Sequence, residues 1–266
     1  MDYMIIIFLG FAIGFLSSFF GIGGGSLMVP VLYLLYPRLP ASIIIPVSLG
    51  TIFIITTINT TRFYKLGLLP PKNIIKNFFI TCSIGGLLGA NLLYITDTAT
   101  TKKIMGIVIF ISMLKIVIPK SINRKTTEPS NPSGKLMATT GFLGSLISSL
   151  TGLGGGIVFT PMLINIVKLP LKMVTPYSNL AMMVATFIGV IPHLFKHHSQ
   201  SIVFESEILN GLFVGNVNFG IILILVVGAF VSSKLGIKFN SSISEKKKKY
   251  ILSSLLLVLS VKMIFY

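Results

Sequence analysis

A short glycine-rich segment occurs twice in this chain, and each copy interrupts a long run of apolar residues. The first copy reads Gly21-Ile22-Gly23-Gly24-Gly25 and the second reads Gly152-Leu153-Gly154-Gly155-Gly156. A proline follows each copy at the same distance, at Pro30 and Pro161. Glycine weakens a helix and exposes its backbone, so a simple membrane anchor has no need of such a triplet. The two breaks therefore predict a duplicated transport unit whose site lies at the breaks.

The composition places both breaks in a membrane protein. Of 266 residues, 53% are hydrophobic and 11% are charged. Apolar runs of about 20 residues match a hydrocarbon core of about 30 Å, and their unbroken length argues against a transmembrane β-barrel. We therefore expect an all-α polytopic membrane protein. Its richness in Ile, Lys and Asn is typical of an AT-rich bacterial genome, so the predicted location is the bacterial inner (plasma) membrane.

Hydropathy predicts about eight segments in two repeats of four, each repeat opening with a glycine-broken helix. Residues 1–120 form the first repeat, 121–135 a polar linker and 136–266 the second repeat. The match between the halves extends beyond the glycines, because Pro46-Val47-Ser48-Leu49 corresponds to Pro176-Tyr177-Ser178-Asn179. Several matches in the same order indicate a duplication.

Loop charge favours inverted repeats, which we treat as a hypothesis. The loop after the second segment is basic, with Arg62 and Lys65, whereas the equivalent loop of the second repeat has Lys196 but also Glu205 and Glu207. Because basic loops tend to face the cytoplasm, the halves would point in opposite directions. Each half must then cross an odd number of times, so each broken segment would be a re-entrant hairpin or a pair of crossings.

The helix breaks supply a candidate site for an anion. Free N–H groups at a helix N-terminus and the helix dipole favour negative charge, and glycine lets a ligand approach the backbone. Nearby hydroxyl and amide groups would line a polar path; tight packing without a ligand is the alternative. The candidate substrate-binding residues are Gly21, Gly23, Gly24, Gly25, Ser26, Ser48, Thr51, Gly152, Gly154, Gly155, Gly156, Ser178 and Asn179.

Prolines within the spans and one histidine are candidates for gating or coupling. Proline removes a backbone donor and bends a helix. His193 is the best titratable candidate within a span, although a lone histidine there is more often interfacial than functional. The candidates are Pro30, Pro46, Pro161, Pro176 and His193.

Acidic residues are few, and all lie at span ends or in loops: Asp2, Asp97, Glu128, Glu205, Glu207 and Glu245. A cation transporter commonly needs buried carboxylates, so their placement favours an anion. No nucleotide-binding loop, metal-ligand cluster or acidic pair appears, so we expect no catalytic residue, metal, cofactor or enzyme activity. The net charge of +16 is scattered between spans. It therefore indicates contact with anionic lipid and the cytoplasm rather than with nucleic acid, and attraction of an anionic substrate is the alternative.

These motifs resemble the TauE/SafE family of membrane permeases, also called the sulfite exporter or DUF81 family. The resemblance rests on Gly14–Gly25 with Pro30, on Gly152–Gly156 with Pro161, and on the small-residue run Gly228–Gly236, and it covers essentially the whole chain. It implies a secondary transporter for small anions, often sulfur-containing, such as sulfite or an organosulfonate.

The expected partners are therefore a small anionic substrate, the lipid bilayer and a coupling ion of unspecified identity, with no oligomeric state indicated. Rocking of one repeat against the other would give alternating access. An anion channel and a non-transporting membrane assembly or scaffold protein are the alternatives.

Overall fold

Helices account for nearly all of the described chain, as the composition predicts. A computed structural model describes residues 2–20, 25–37, 39–117, 133–196 and 212–265. In chain order the elements are α1 (Asp2–Phe20), α2 (Gly25–Leu35), α3 (Ala41–Lys65), α4 (Lys72–Leu92), α5 (Thr98–Val117), α6 (Gly134–Thr151), α7 (Gly156–Asn165), α8 (Leu171–Leu194), β1 (Phe213–Val214), β2 (Val217–Asn218), α9 (Phe219–Ser242) and α10 (Glu245–Phe265).

Four of these helices contain stretches long and apolar enough to cross a membrane. They are Ala41–Lys65, Ile74–Leu92, Lys172–Leu194 and Phe219–Gly236. Two shorter apolar helices, Met4–Phe20 and Gly156–Asn165, accompany them. The protein is therefore an all-α, multi-pass membrane protein.

In the part of the chain that the structure describes, the eight predicted segments correspond to ten helices, because two segments are each divided in two. The first is divided into α1 and α2, with residues 21–24 between them outside the described part, and the other into α6 and α7. At 1.5 Å per residue, α2 and α7 are about 15 Å long, which is half of the hydrocarbon core. The described residues of each half thus form a helix, a half-length helix and three further helices.

The halves also share the placement of their internal prolines. Pro30 is the sixth residue of α2 and Pro161 is the sixth residue of α7. In the same way, Pro46 and Pro176 are the sixth residues of α3 and α8. Because proline lacks an N–H group, each of these four helices has a missing donor at the same position.

The third predicted segment of the second repeat begins differently in the structure. Residues 213–218 form a two-stranded hairpin in which Phe213 pairs with Asn218, and α9 begins only at Phe219. Asn218 caps α9, because its Oδ1 accepts a hydrogen bond from the Ile221 N–H at 2.9 Å. Hydropathy does not distinguish this hairpin from helix. Most of the predicted linker (121–135) lies outside the described residues, and α6 begins at Gly134.

The first helix of each half packs closely against the fourth helix of the other half. In the first such pair, Gly10 of α1 faces Leu225 of α9, and Gly14 faces Ala229. A Cβ atom on Gly10 would lie 2.8 Å from the Leu225 carbonyl oxygen, so this contact of backbones requires glycine. Residue numbers rise together along both helices, which shows that α1 and α9 run parallel.

The second such pair consists of α4 and α6. Gly85 faces Phe142 and Gly89 faces Leu146, and a Cβ atom on either glycine would collide with the opposite backbone. The two helices are again parallel. The duplication relates the two pairs. Helix α6 corresponds to α1 and α9 corresponds to α4, so the α4–α6 pair is equivalent to the α9–α1 pair.

Helices α3 and α8 pack against each other in the opposite sense. As residue numbers rise along α3, the numbers of their neighbours fall along α8, so the two helices are antiparallel. The neighbouring pairs are Leu49 with Gly189, Phe53 with Phe187 and Asn59 with Asn179.

Buried apolar side chains form two clusters that do not coincide with the halves of the sequence. One cluster lies mainly on α1, α2, α3, α5, α9 and α10, and the other lies on α4, α6, α7 and α8. The first cluster also includes Leu93 after α4 and Leu150, Leu153 and Ile157 around the α6–α7 break. We call α1, α2, α3 and α9 the first bundle, and α4, α6, α7 and α8 the second bundle. Helices α5 and α10 pack on each other, with the Ser260 Oγ donating to the Gly106 carbonyl at 3.0 Å.

Candidate functional site

The break between α6 and α7 is formed by glycines in left-handed conformations. Gly152 ends α6 with a φ of 69°, and its N–H donates to the Ser148 carbonyl at 2.8 Å. Gly154 and Gly155 follow with φ values of 67° and 85°. An L-residue with a side chain is strained in this region, so the sequence needs glycine to stop one helix and start the next within four residues.

The N-terminus of α7 is buried and has backbone donors that find no acceptor within their own helix. Gly155 occupies the N-cap position without offering a side chain, and its carbonyl accepts from Val158 and Phe159. Gly156 and Ile157 are the first two residues of α7, where a helix leaves backbone N–H groups without partners inside the helix. All residues from 150 to 159 are buried. Free N–H groups at a buried helix N-terminus are suited to bind an anion.

Helices α2 and α3 of the first half cover this break. The Ser48 Oγ donates to the Gly152 carbonyl at 2.8 Å, and both groups are buried. A Cβ atom on Gly154 would lie 2.5 Å from the Ile52 Cδ1, and one on Gly152 would lie 2.8 Å from the Val29 Cγ2. The glycines of one half are thus enclosed by side chains of the other half.

Two side chains of the second bundle close the other side of the break. A Cβ atom on Gly155 would lie 2.5 Å from the Phe159 ring and 3.4 Å from the Met182 Cγ. The Phe159 ring in turn contacts Phe78 edge-on, with centroids 6.4 Å apart. The site is therefore closed in this conformation, and an anion enters only if Ile52, Phe159 or Met182 moves.

The predicted residues Ser178 and Asn179 form a separate group. Asn179 accepts a hydrogen bond from Asn59 at 3.2 Å and donates to the Thr175 carbonyl at 2.9 Å. The pairing of Leu49 with Gly189 places Ser48 opposite residue 190 of α8. Residue 190 is twelve residues from Ser178, which corresponds to about 18 Å along a helix. Ser48 and Ser178 therefore do not contact the same small ion.

Some buried hydroxyl groups near the helix break and near Asn179 make hydrogen bonds, and others do not. Thr51 donates to the Val47 carbonyl of its own helix at 2.8 Å. In the described part of the chain, the Oγ atoms of Ser148 and Ser178 and the Oγ1 of Thr60 are buried without a partner. A buried hydroxyl without a partner costs free energy, so these atoms mark places where a polar ligand or water would gain hydrogen bonds.

The first predicted break is largely outside the described residues. Gly21, Gly23 and Gly24 lie there, while Gly25 begins α2 and Ser26 is the second residue of that helix. No group of three or more His, Cys, Asp or Glu residues is placed to hold a metal ion among the residues that were described.

His193 belongs to a polar cluster whose other members were not identified as functional from the sequence. Its Nδ1 lies 2.6 Å from the Tyr94 hydroxyl, which also accepts a hydrogen bond from Asn216 at 3.1 Å. The Lys196 Nζ lies 5.1 Å from the centre of the Tyr94 ring. Burial raises the pKa of Tyr94, and the hydrogen bond from Asn216 opposes that shift. The Gly215-Asn216 pair favours a turn, so the sequence could have indicated the hairpin that carries Asn216 but not its contact with Tyr94.

Comparison with known proteins adds a family and several relatives. The family model described as "Sulfite exporter TauE/SafE" matches residues 6–263. A "Probable membrane transporter protein" of Methanocaldococcus jannaschii is 31% identical over 98% of this chain and 94% of its own length. Proteins with the same description from Haemophilus influenzae (25% identical over 97% of this chain and 94% of their own length) and Bacillus subtilis (24% over 100% and 98%) also match. No solved structure matches.

Proposed function

The chain belongs to the TauE/SafE family, and on that premise we propose that it is a secondary transporter for a small sulfur-containing anion such as sulfite or an organosulfonate. The coarser statement, a membrane transporter, agrees with the printed descriptions of its relatives. The family description names sulfite, which is the reason for placing sulfite first among the candidate substrates.

One observation carries the choice of an anion. The buried N-terminus of α7 presents the N–H groups of Gly156 and Ile157, which have no acceptor inside the helix, and such groups attract negative charge. No buried carboxylate stands near them among the described residues. A cation would therefore find no compensating charge at this break, whereas an oxyanion would find donors.

The packing of the helices supports alternating access by the two bundles. The contacts of Gly10 with Leu225 and of Gly85 with Phe142 join the halves through their backbones. Rocking of one sequence half against the other would separate these close contacts. We therefore assign the movement to the first and second bundles, which meet where α3 crosses α8 and where Ser48 contacts Gly152. Opening along that surface would uncover the glycine break.

The same packing supports inverted repeats. Equivalent helices α3 and α8 are antiparallel, so an operation that exchanges the halves also reverses their direction across the membrane. The end of the bundle that holds the C-terminus of α3 and the N-termini of α4 and α8 carries Arg62, Lys65, Lys72, Lys76 and Lys172. By the positive-inside tendency this end faces the cytoplasm of a bacterial plasma membrane, and His193 lies at the outer end.

Flux measurements in proteoliposomes test the function. Labelled sulfite, sulfate and methanesulfonate are offered to purified protein, and we expect saturable uptake that is accelerated by unlabelled anion on the other side. Flux that does not saturate and shows no exchange would indicate a channel, and absence of flux would favour a scaffold protein.

A matched pair of variants tests the site. Gly155→Leu should abolish flux because its side chain would collide with Phe159. Gly134→Leu is the control, because a Cβ atom there meets nothing within 4 Å. Normal flux in a well-folded Gly155→Leu protein would refute the assignment of the break as the substrate site.

A further inference from the structure

A buried polar cluster lies at the C-terminal end of α8. The Tyr94 hydroxyl lies 2.6 Å from the His193 Nδ1, and the Asn216 side-chain amide donates to the same hydroxyl at 3.1 Å. Because the phenol oxygen already accepts from Asn216, its own proton is available for His193. The Nδ1 is then an acceptor, and a neutral His193 carries its proton on Nε2.

Two atoms of this cluster have unused hydrogen-bonding capacity. His193 is fully buried and Asn216 is 3% exposed. Neither the His193 Nε2 nor the Asn216 Oδ1 has a partner in the part of the chain that the structure describes. The first is a donor in this tautomer and the second is an acceptor. Such pairs of buried orphan groups are rare in proteins, and they commonly indicate a functional role or a bound water.

The cluster connects the two bundles. Tyr94 follows α4 and His193 lies in the last turn of α8, which are helices of the second bundle. Their neighbours Leu93 and Leu194 nevertheless pack in the same core cluster as the first bundle. Asn216 lies in the hairpin that leads into α9, and its neighbour Val217 is fully buried in the core of the first bundle. The Asn216 backbone N–H also donates to the His193 carbonyl at 2.9 Å. A change in the hydrogen bonds of His193 therefore acts on a contact between the bodies that would move.

We propose that His193 is a proton-binding site that couples anion transport to the movement of a proton, an inference that rests on the proposed transport function. The incoming proton binds the lone pair of Nδ1, and the imidazolium then donates from Nδ1 to the Tyr94 oxygen. The Tyr94 hydroxyl loses its acceptor and donates instead to the Asn216 Oδ1, after rotation of that amide. The direction of the hydrogen bond between Tyr94 and Asn216 is reversed, and loss of the proton restores it.

Among the described residues no carboxylate contacts His193, so its burial and the nearby Lys196 both oppose a lasting charge on the imidazole. Tyr94 contacts the imidazole directly, and Lys196 lies over the Tyr94 ring, where its charge opposes a permanent second cation. Asp97 is exposed, and its carboxylate accepts from the Thr100 N–H at 3.0 Å. Residues 212–218, residues 41–49 of α3 and the first three turns of α9 carry no titratable group.

The site occurs in one half only. At the offset of 130 that relates α3 to α8, the position equivalent to His193 is Phe63 (63 + 130 = 193). Coupling through His193 would therefore take place at one end of the bundle, in contrast to the paired glycine breaks. A single proton site gives one coupled proton per transport cycle.

Methanesulfonate is the probe for coupling, because it remains an anion throughout the pH range whereas sulfite takes up a proton itself. With one proton per anion, a gradient of one pH unit should drive about a tenfold accumulation in proteoliposomes. We expect His193→Gln to abolish the response to the gradient, and Asp97→Asn, which alters an exposed titratable group at the same end, to retain it. A full gradient response in His193→Gln would overturn the proposal.

A second readout needs no substrate. In a protein carrying His197→Gln and His198→Gln, His193 is the last histidine of the three in the chain, so its nitrogen NMR signals are resolved. We expect it to take up a proton as the pH is lowered, with a midpoint that moves in Tyr94→Phe and stays in the exposed control Tyr64→Phe. A His193 that keeps one neutral form throughout would overturn the proton site. If His193 titrates but the protein transports no anion in the flux assay, the transport function is refuted while the proton site stands.

Discussion

The Ser48 hydroxyl donates a hydrogen bond to the Gly152 carbonyl over 2.8 Å, and this contact joins α3 of the first half to the helix break of the second. Gly152 is the C-cap residue of α6, so no following turn of that helix donates a hydrogen bond to its carbonyl. Ser48 satisfies it. The equivalent hydroxyl, Ser178, has no partner among the described residues. The two serines thus differ in their surroundings although their sequence contexts match.

Ser48→Ala should therefore destabilise the protein more than Ser178→Ala. Loss of the Ser48 donor leaves a buried carbonyl without a partner, which typically costs about 1–3 kcal/mol. Removal of the Ser178 hydroxyl breaks no hydrogen bond seen in the structure. Thermal unfolding in detergent, followed by fluorescence of a thiol-reactive dye on Cys82, compares the two. Equal losses of stability would contradict the assigned roles.

Replacement of Gly154 by alanine should cost more than the same change at Gly67. Both glycines have nearly the same φ, 67° and 68°, so both substitutions carry a strain of about 1–2 kcal/mol. Only at Gly154 does the new Cβ approach a neighbour, the Ile52 Cδ1 at 2.5 Å, whereas nothing lies within 4 Å at Gly67.

The second change Ile52→Val removes that Cδ1 atom and should restore part of the loss in Gly154→Ala. The midpoint of thermal unfolding measures each step. If Gly67→Ala were as destabilising as Gly154→Ala, contact with Ile52 would play no part.

A cross-link between the two bundles should block transport, whereas a cross-link that joins the two sequence halves within one bundle should not. Asn59→Cys with Asn179→Cys places a disulfide across the α3–α8 contact, where the parent side chains lie 3.2 Å apart. Oxidation of this pair should stop flux, and reduction should restore the flux of the reduced protein. Thr81→Cys with Gly141→Cys joins α4 to α6 within the second bundle and should leave flux unchanged on oxidation. Cys82→Ser provides the background for both.

Labelling of single cysteines should place the ends of α3 and α8 on opposite sides of the membrane. In the Cys82→Ser background, Lys65→Cys and Lys72→Cys are expected to react only from the cytoplasmic side. Lys196→Cys and Asp97→Cys should react only from the outside, because Tyr94 and His193 hold these two segments together. An impermeant maleimide applied to intact cells and to inverted vesicles measures this. Reaction of positions 65 and 196 from the same side would refute inverted repeats.

Much of the secondary structure follows from local sequence. Apolar runs of fixed length predict the helices, and glycine triplets predict where α6 ends, because left-handed geometry at Gly152 and Gly154 is a local property. The hairpin before α9 was missed, since Phe213 and Val214 extend the apolar character of the helix that follows. Its signal was the Gly215-Asn216 pair, which favours a tight turn.

The arrangement of the candidate site could be predicted only in part. The sequence identifies Ser48 and Gly152 as polar or flexible residues in apolar runs, but their contact joins positions 104 residues apart. The separation of Ser48 from Ser178 depends on the antiparallel crossing of α3 and α8, which hydropathy does not encode. The partnership of His193 with Tyr94 spans 99 residues and likewise depends on tertiary packing.

The pairing of α1 with α9 has a consequence for biosynthesis. Gly10 and Leu225 are separated by 215 residues (225 − 10), so at 5–20 residues per second the ribosome needs about 10–40 s to supply the partner of α1. During that interval the glycine face of α1 must be sheltered by lipid or by the insertion machinery. A chain that terminates before α9 would never acquire the partner of this face.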